Sequence, residues 1–199
     1  MKTLLSTLRP AFLLTAIFAL VLCAAYPLAV WAFAQLAFPH KANGSLITDA
    51  SGTVRGSALI AQPFAMPRYF HPRPSAAGDG YDATASNSSN FGPTSRKLAD
   101  ALKTRIVAYR SENALSADTP IPADAITASA SGLDPHISVA NAMIQAPRVA
   151  HARGFALDTV QALISANTAH RDFGVLGEEG VNVLLLNLAL DKVSGTVTP

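Results

Sequence analysis

The sequence predicts an α+β protein with a single N-terminal transmembrane helix followed by one extracytoplasmic domain of mixed helices and strands. No Asp, Glu, Lys or Arg occurs between residues 11 and 38, and a helix of that length spans about 40 Å, enough to cross a hydrocarbon layer of about 30 Å. Beyond it, short β-branched runs and helical apolar patterns follow one another. The predicted organisation is a cytoplasmic tail at 1–10, a transmembrane helix at 11–38 and a soluble accessory domain at 39–199.

The apolar segment is interpreted as an uncleaved anchor, with a cleaved secretory signal as the alternative. Ala32-Phe33-Ala34 matches the small-residue pattern of a cleavage site. The apolar run before it is longer than the roughly 7–15 residues of a signal peptide, which favours the anchor. Pro27 is expected to kink the membrane helix.

The charge distribution predicts the orientation. Lys2 and Arg9 precede the span, whereas Lys41 is the one basic residue that follows it closely. The positive-inside rule therefore places the N-terminus in the cytoplasm and the main domain in the periplasm. Beyond the span, 13 Lys and Arg residues balance 13 Asp and Glu residues. The domain therefore lacks the excess positive charge that is typical of nucleic-acid-binding proteins.

Two segments come first in the outer domain. "GSLITDASGTVRGSALIAQPF" contains two short aliphatic runs around the turn residues 49–52, which predicts a hairpin. The segment 68–95, "RYFHPRPSAAGDGYDATASNSSNFGPTS", is predicted to be a loop. Its interleaved aromatic residues favour an ordered loop that packs on the domain, and a membrane-proximal spacer is the alternative.

Helical and extended signals alternate after Gly92-Pro93. Apolar residues at helical spacing predict a helix over 95–112 that begins behind Thr94 or Ser95. A turn bracketed by two prolines follows, and "AITASAS", residues 125–131, is interpreted as an edge strand.

The stretch "SGLDPHIS", residues 131–138, has the residues of a helix start. Gly132 permits a sharp turn, Asp134 is a good N-cap, and Pro135 suits the first helical position. The predicted helix continues to a kink or restart at Pro147 and ends at Gly154.

Two further helices are predicted near the C-terminus. Asp158 is expected to cap one of them, which carries an apolar face through residues 160–164. "VNVLLLNLAL", residues 181–190, has apolar residues at i, i+3, i+4 and i+7 and is interpreted as a buried helix.

Several classes of chemistry lack their sequence signals. No Gly-Lys pair occurs, which excludes a P-loop, and the five histidines are too widely spaced for a zinc signature. A membrane-anchored periplasmic hydrolase that uses Asp134, His136 and a serine stays open as an alternative, although no G-x-S-x-G motif supports it.

Six phrases after the span, taken in order, carry a resemblance to a known family. They are "GSLI", "YFHPRPSAAGDGYDA", "SNFGPTS", "SGLDPHIS", "RVAHARG" and "VNVLLLNLALD". Together they resemble the C subunits of bacterial Kdp potassium-transporting ATPases over nearly the whole chain. Any single phrase is weak evidence, whereas the ordered set is specific.

The resemblance implies a non-catalytic accessory subunit of a high-affinity, ATP-driven potassium uptake complex in the bacterial inner membrane. The implied partners are a potassium-conducting channel-like subunit, a P-type subunit that hydrolyses ATP, and a small single-span subunit. The chain would be needed for assembly and would act as a catalytic chaperone that raises the ATP affinity of the hydrolysing subunit. ATP and potassium would be bound by the complex, and the chain would have no cofactor, catalytic residue or metal ligand of its own.

Seven polar residues of the loop, the "SGLDPHIS" turn and the following helix are candidates for contact with the channel-like subunit or the potassium entrance. They are Arg73, Tyr81, Asp82, Asn90, Asp134, His136 and Arg148. The alternative role for each is to stabilise the domain's own loops through hydrogen bonds and caps. Since a periplasmic domain cannot meet cytoplasmic ATP, any effect on ATP affinity is expected to act through the conformational equilibrium of the complex.

Overall fold

The computed structural model describes residues 2–49 and 51–196. This part of the chain forms two compact units that divide between Ser57 and Ala58. An apolar helix opens the first unit, and the second unit combines helices with a small antiparallel sheet. This architecture confirms the predicted α+β class.

The apolar helix consists of α1 (Lys2–Leu20) and α2 (Tyr26–Ala37), joined without interruption by a π-helical turn, Val21–Ala25. It includes one stretch long and apolar enough to cross a membrane, Ser6–Ala37, in which an 18-residue window has a mean hydropathy of 2.4. The widened turn ends two residues before Pro27, which has no N–H to donate to the preceding turn. A local irregularity therefore accompanies the proline at which the sequence predicts a kink.

The rest of the first unit is a short helix and the predicted hairpin. These elements are α3 (Pro39–Ala42), β1 (Leu46–Thr48) and β2 (Val54–Ser57). The two strands pair antiparallel. Asp49 closes the turn by accepting hydrogen bonds from the backbone N–H groups of Ser51 and Thr53 at 2.9 and 3.0 Å. The Ser51 hydroxyl contributes most to holding the pKa of Asp49 at about 2.

The second unit contains the remaining elements. Its helices are α4 (Arg96–Glu112), α5 (Ala123–Ile126), α6 (Val139–Arg153), α7 (Leu157–Ala166) and α8 (Val183–Thr196). Its strands are β3 (His136–Ile137), β4 (Thr168–Ala169) and β5 (Gly180–Asn182). The strand order is β3-β5-β4, and both pairs are antiparallel.

The core of the second unit lies where α7 packs against α6 and α8 and where β5 lies beside them. It contains Phe70, Ile137, Ala142, Ala146, Val149, Ala150, Val160, Ile164, Val181, Val183, Leu186 and Leu190. Phe70 comes from the long loop and is fully buried among these residues. The loop is therefore part of the folded domain, as its aromatic residues predict.

The sequence predicts the loop and the helix after it correctly. No helix or strand occurs from residue 58 to residue 95, and α4 then covers nearly the predicted range of 95–112. Ser95 is the N-cap by position, although its side chain accepts no capping hydrogen bond.

The edge strand predicted at residues 125–131 is wrong. Its first two residues belong to α5, and no strand follows them. The side chain and the backbone N–H of Thr127 both donate to the carbonyl of Ala123, at 2.7 and 2.9 Å. This local bonding closes a helical turn where an extended segment was expected.

The helix start predicted at Asp134 is also wrong, because α6 begins only after Ser138. The Ser138 hydroxyl accepts the N–H of Asn141 at 3.0 Å as the N-cap. The Asp134 carboxylate instead accepts the N–H of His136, two residues on, at 3.0 Å. His136 therefore enters strand β3 opposite Asn182 rather than the first turn of a helix.

The remaining predicted boundaries are partly correct. Gly154 ends α6 with a left-handed φ of 67°, as predicted. Ala156, not Asp158, is the N-cap of α7, and Asp158 lies within its first turn. The helix predicted at residues 181–190 begins only at Val183, because the residues before it form strand β5. At the start of this helix, the side chain of Asn182 accepts a hydrogen bond from the N–H of Leu185 at 3.1 Å.

Substitution of Gly132 tests how closely the loop packs on the "SGLDPHIS" turn. Gly132 has a φ of 68°, and an added Cβ would lie 2.7 Å from the backbone nitrogen of Ala77 and 2.8 Å from the carbonyl oxygen of Asn87. We expect Gly132→Ala to lower the free energy of unfolding by roughly 3 kcal/mol, from left-handed strain and overpacking together. Urea unfolding of the purified chain in detergent, followed by circular dichroism, measures the loss.

Gly154→Ala is the matched control for this substitution. Gly154 has nearly the same φ, 67°, but an added Cβ would meet no atom within 4 Å. It should cost only about 1 kcal/mol, the strain alone. Equal losses for the two variants would contradict the close contact.

Candidate functional site

The long loop runs beside α6 and α8, and side chains take up its backbone groups. Each of the six consecutive carbonyl oxygens from Met66 to His71 accepts a hydrogen bond from a side chain. The donors, in chain order of the carbonyls, are His71 Nε2, Arg148 Nη1, Arg153 Nε, Arg148 Nη1 again, Asn187 Nδ2 and Gln145 Nε2. We call this set of contacts the loop clamp.

Two buried amides make the most regular part of the loop clamp. Asn187 accepts the N–H of Phe70 at 2.9 Å and donates to its carbonyl at 3.0 Å. Gln145 does the same for His71, at 2.8 and 3.1 Å. Each amide thus pairs with a loop residue as a neighbouring strand would, and both side chains are 1% exposed.

Two arginines bind the loop residues that precede Phe70 and His71. Arg148 donates to the carbonyls of Pro67 and Tyr69 at 2.6 and 3.0 Å, and burial lowers its pKa. Arg153 pairs with Asp191 at 2.8 Å and lies 4.9 Å from the ring centroid of Tyr69. Only 1% of the Arg153 side chain is exposed, so its charge is compensated by Asp191, by the loop carbonyl and by the ring.

A polar network continues from the clamp along α6. Asn141 donates to Asp124 at 2.9 Å, and its oxygen accepts from Gln145 at 2.9 Å and from the Tyr109 hydroxyl at 2.8 Å. Burial raises the pKa of Tyr109 well above its ordinary value. Asp124 also accepts both the N–H and the hydroxyl of Ser138, so the network connects α4, α5 and the start of α6.

His71 and Glu112 form an ion pair at the open side of this network. The two side chains meet at 2.8 Å through Nδ1, and the other ring nitrogen faces the carbonyl oxygen of Met66. Both ring nitrogens thus face acceptor oxygens. The hydrogen bond from His71 is the largest contribution to lowering the pKa of Glu112.

The first cleft of the second unit opens above this ion pair. It has a volume of about 510 Å³, and its polar lining includes His71, Tyr81, Arg105, Tyr109, Glu112 and Gln145. Most of these groups already bond to one another or to the backbone, so the cleft is a surface feature of the clamp network.

A second cluster joins the loop to the "SGLDPHIS" turn. Arg73 Nη1 donates to Asp134 Oδ2 at 2.9 Å, and the Tyr81 hydroxyl donates to the carbonyl of Arg73 at 2.8 Å. Burial alone would raise the pKa of Asp134, but its contacts with His136 and Arg73 outweigh burial and hold that pKa at about 2. Burial raises the pKa of Tyr81.

This cluster lines the second cleft, which has a volume of about 700 Å³. Three predicted contact residues, Arg73, Asp134 and His136, line it. Its lining also includes three acidic residues of the connection between β4 and β5, which are Asp172, Glu178 and Glu179. The structure thus brings these three predicted residues together at one cleft.

The other candidates lie elsewhere. Arg148 belongs to the loop clamp, and Tyr81 lines the first cleft. Asp82 and Asn90 are exposed. The Asp82 carboxylate accepts the N–H of Thr84, and its hydrogen bond with the Thr84 side chain contributes most to lowering the pKa of Asp82. The Asn90 side chain accepts a hydrogen bond from the Ser88 hydroxyl. These bonds are of the kind that the stabilising role predicts, and the partner-contact role of all seven residues stays a prediction.

The alternative catalytic arrangement has little geometric support. His136 Nδ1 lies 3.7 Å from Asp134 Oδ1, and Asp134 is already paired with Arg73. Ser138, the serine closest in sequence to His136, bonds to Asp124 instead. The nucleophile, base and orienting acid that a triad requires are therefore not connected here.

Sequence reasoning missed the buried amides Asn141, Gln145 and Asn187, and it named Arg148 only as a contact candidate. Asn141, Gln145 and Arg148 follow one another at i, i+4 and i+7, a stripe that would ordinarily be assigned to a solvated helix face. Asn187 interrupts the otherwise apolar run "VLLLNLAL". A buried amide needs a hydrogen-bond partner, so an Asn within an apolar helix was the sequence signal for a contact of this kind.

Comparison with known proteins agrees with the resemblance. The family model for the K+-transporting ATPase c chain, KdpC, matches residues 8–192. A Mycobacterium tuberculosis H37Rv protein named potassium-transporting ATPase KdpC subunit is 54% identical over 186 residues, which cover 94% of this chain and 98% of that protein. A Caulobacter vibrioides NA1000 protein of the same name is 57% identical over 188 residues, which cover 94% of each chain.

The variant Asn187→Asp tests the loop clamp with a change of one atom. A carboxylate can still accept the N–H of Phe70, but its second oxygen would face the Phe70 carbonyl in a buried site. We expect a loss of roughly 3 kcal/mol in the free energy of unfolding at neutral pH. Burial would raise the pKa of the new carboxyl above its unfolded value of about 4, so the loss should grow as the pH rises above that value.

Asn90→Asp makes the same change on an exposed side chain and is the control. Unfolding midpoints of both variants between pH 4 and pH 8 measure the effect. A stability of Asn187→Asp equal to that of Asn90→Asp throughout this range would contradict the clamp.

Proposed function

This chain belongs to the KdpC family of K+-transporting ATPase c chains, and we propose that it is the accessory subunit of a high-affinity, ATP-driven potassium uptake complex. Its proposed partners are a potassium-conducting channel-like subunit, a P-type subunit that hydrolyses ATP, and a small single-span subunit. The observation that carries the proposal is the extent of the match, which runs through both units of the chain.

We propose that the chain contributes no catalytic centre and no cofactor to this complex, and that ATP and potassium are bound by the other subunits. The titratable groups of the second unit support this proposal. Arg148, Arg153 and Asp124 hold backbone and side-chain groups of the domain itself, and Asp134 is paired with Arg73. A subunit organised in this way is suited to assembly and docking.

The proposed topology is a single-pass inner-membrane protein with a cytoplasmic N-terminus and a periplasmic second unit. The apolar stretch Ser6–Ala37 supports membrane attachment. The excess of basic residues before the span, Lys2 and Arg9 against Lys41 after it, supports a cytoplasmic N-terminus. In this topology the second unit cannot touch cytoplasmic ATP. The proposed role as catalytic chaperone therefore requires that the subunit favour the conformation of the complex that binds ATP tightly.

Single cysteines test the topology. With Cys23, the one cysteine of the chain, changed to Ser, Asp158→Cys places a thiol at an exposed position in α7. We expect a membrane-impermeant maleimide to label Asp158→Cys in intact spheroplasts. Thr3→Cys, the matched control before the span, should be labelled only after permeabilisation. The reverse pattern would place the second unit in the cytoplasm.

Co-purification from native membranes tests the function. A tag after Pro199 should recover, in mild detergent, a P-type ATPase subunit and a channel-like subunit in equal amounts, with potassium-stimulated ATP hydrolysis. Removal of this chain should raise the half-saturating ATP concentration about tenfold, within the usual range of allosteric coupling. Recovery of this chain alone, under conditions that preserve other membrane complexes, would contradict the proposed function.

A further inference from the structure

The connection between β4 and β5, residues 170–179, exposes an apolar tip. Phe173 is 94% exposed, Val175 is 73% exposed and Leu176 is 59% exposed. Single exposed apolar residues are common on protein surfaces, whereas three within four positions form a patch. We call residues 170–179 the apolar turn.

The apolar turn has a defined conformation. Asp172 and Leu176 pair as an antiparallel bridge through two hydrogen bonds of 2.9 Å. Below the bridge, His170 pairs with Glu179 at 2.9 Å and Arg171 pairs with Glu178 at 3.1 Å. These contacts hold the tip in one arrangement, which reduces the conformational entropy lost when a partner binds.

Phe173 occupies a backbone conformation that ordinarily disfavours its side chain. Its φ is 54°, in the left-handed region, and the following Gly174 has a φ of 76°. Glycine or asparagine adopts this region more readily than phenylalanine, so the local fold gives no reason for an aromatic residue here. A side chain placed with strain and with nearly full exposure is the pattern expected of a contact residue.

The charges around the tip favour a protein partner over a lipid surface. Three carboxylates, Asp172, Glu178 and Glu179, stand beside one arginine, Arg171. Bacterial membranes are rich in anionic lipid and attract basic segments, so an acidic turn would be repelled. The complementary surface is an apolar pocket bordered by Lys or Arg.

The apolar turn is also continuous with the second cleft. Asp172, Leu176 and Glu178 line that cleft together with Arg73 and His136. A partner that received the tip would therefore also reach residues predicted from the sequence as contacts.

We infer that the apolar turn is a docking site for another subunit of the potassium pump, which receives Phe173 in an apolar pocket bordered by basic side chains. The inference rests on the proposed function, since it takes its partner from the same complex. It adds the contact surface and the chemistry of the pocket.

Site-specific photo-cross-linking in membranes that contain the full complex tests the inference. Phe173→p-benzoylphenylalanine should give an adduct with another pump subunit, at a peptide that contains apolar residues and Lys or Arg. The same amino acid at Val107, which is 68% exposed on α4, is the control and should give at least tenfold less of this adduct. Adducts with lipid alone, adducts with a second copy of this chain, or equal yields at the two positions would each overturn the inference.

Two further variants keep the test independent of the probe. Phe173→Asn suits the left-handed backbone and removes the apolar side chain, so the domain should fold while the complex dissociates at least tenfold more readily on dilution. Glu178→Lys should also weaken the complex, whereas a lipid-binding turn would bind anionic vesicles more tightly after this change. Val107→Asn is the control for loss of an exposed apolar residue.

The outcomes separate the two proposals. If the wild-type chain recovers the pump subunits and folded Phe173→Asn recovers them with unchanged stability of the complex, only the docking inference fails. If the wild-type chain recovers none of them, the proposed function fails, and the docking inference fails with it.

Discussion

The stretch from Met66 to His71, a hydrogen-bonded turn at Met66–Tyr69 followed by Phe70 and His71, has no strand beside it. Most of its backbone groups therefore need side-chain partners. Side chains of α6 and α8 supply them, together with one ring nitrogen from the loop itself. An unpaired backbone group would cost about 1–3 kcal/mol if left buried, a large fraction of the stability of one domain. This requirement explains why Gln145 and Asn187 lie within buried helix faces where apolar residues would otherwise pack.

The loop clamp also determines where the polar surfaces lie. Because Phe70 and His71 are fixed on the helices, the prolines and Arg73 that follow can reach the "SGLDPHIS" turn, where Arg73 pairs with Asp134. Asp134 also accepts the N–H of His136, which lies in strand β3, and all three residues line the second cleft. Asp172, Leu176 and Glu178 of the apolar turn line the same cleft, so contacts that stabilise the fold lie beside the proposed docking surface.

Local patterns predicted the elements that local interactions stabilise. The membrane helix, the hairpin around Asp49, helix α4 and the end of α6 at Gly154 all follow from composition, periodicity or glycine conformation over a few residues. The helix start predicted at Asp134 is wrong because this cap residue has competing uses. Asp134 had the composition of an N-cap, but its two oxygens bind Arg73 and the N–H of His136, and the helix start moved to Ser138.

The sequence by itself determined the membrane span, the order and nature of most elements, and, through its ordered phrases, the family. Only the tertiary structure decided which polar residues are structural and which stay exposed. Asn187 and Phe70 are 117 positions apart, and their pairing depends on how α8 packs against the loop, which no local pattern contains. For the same reason the sequence named Arg148 as a contact candidate without showing that it holds the loop, and it gave no sign that Phe173 would be left exposed at the tip of a turn.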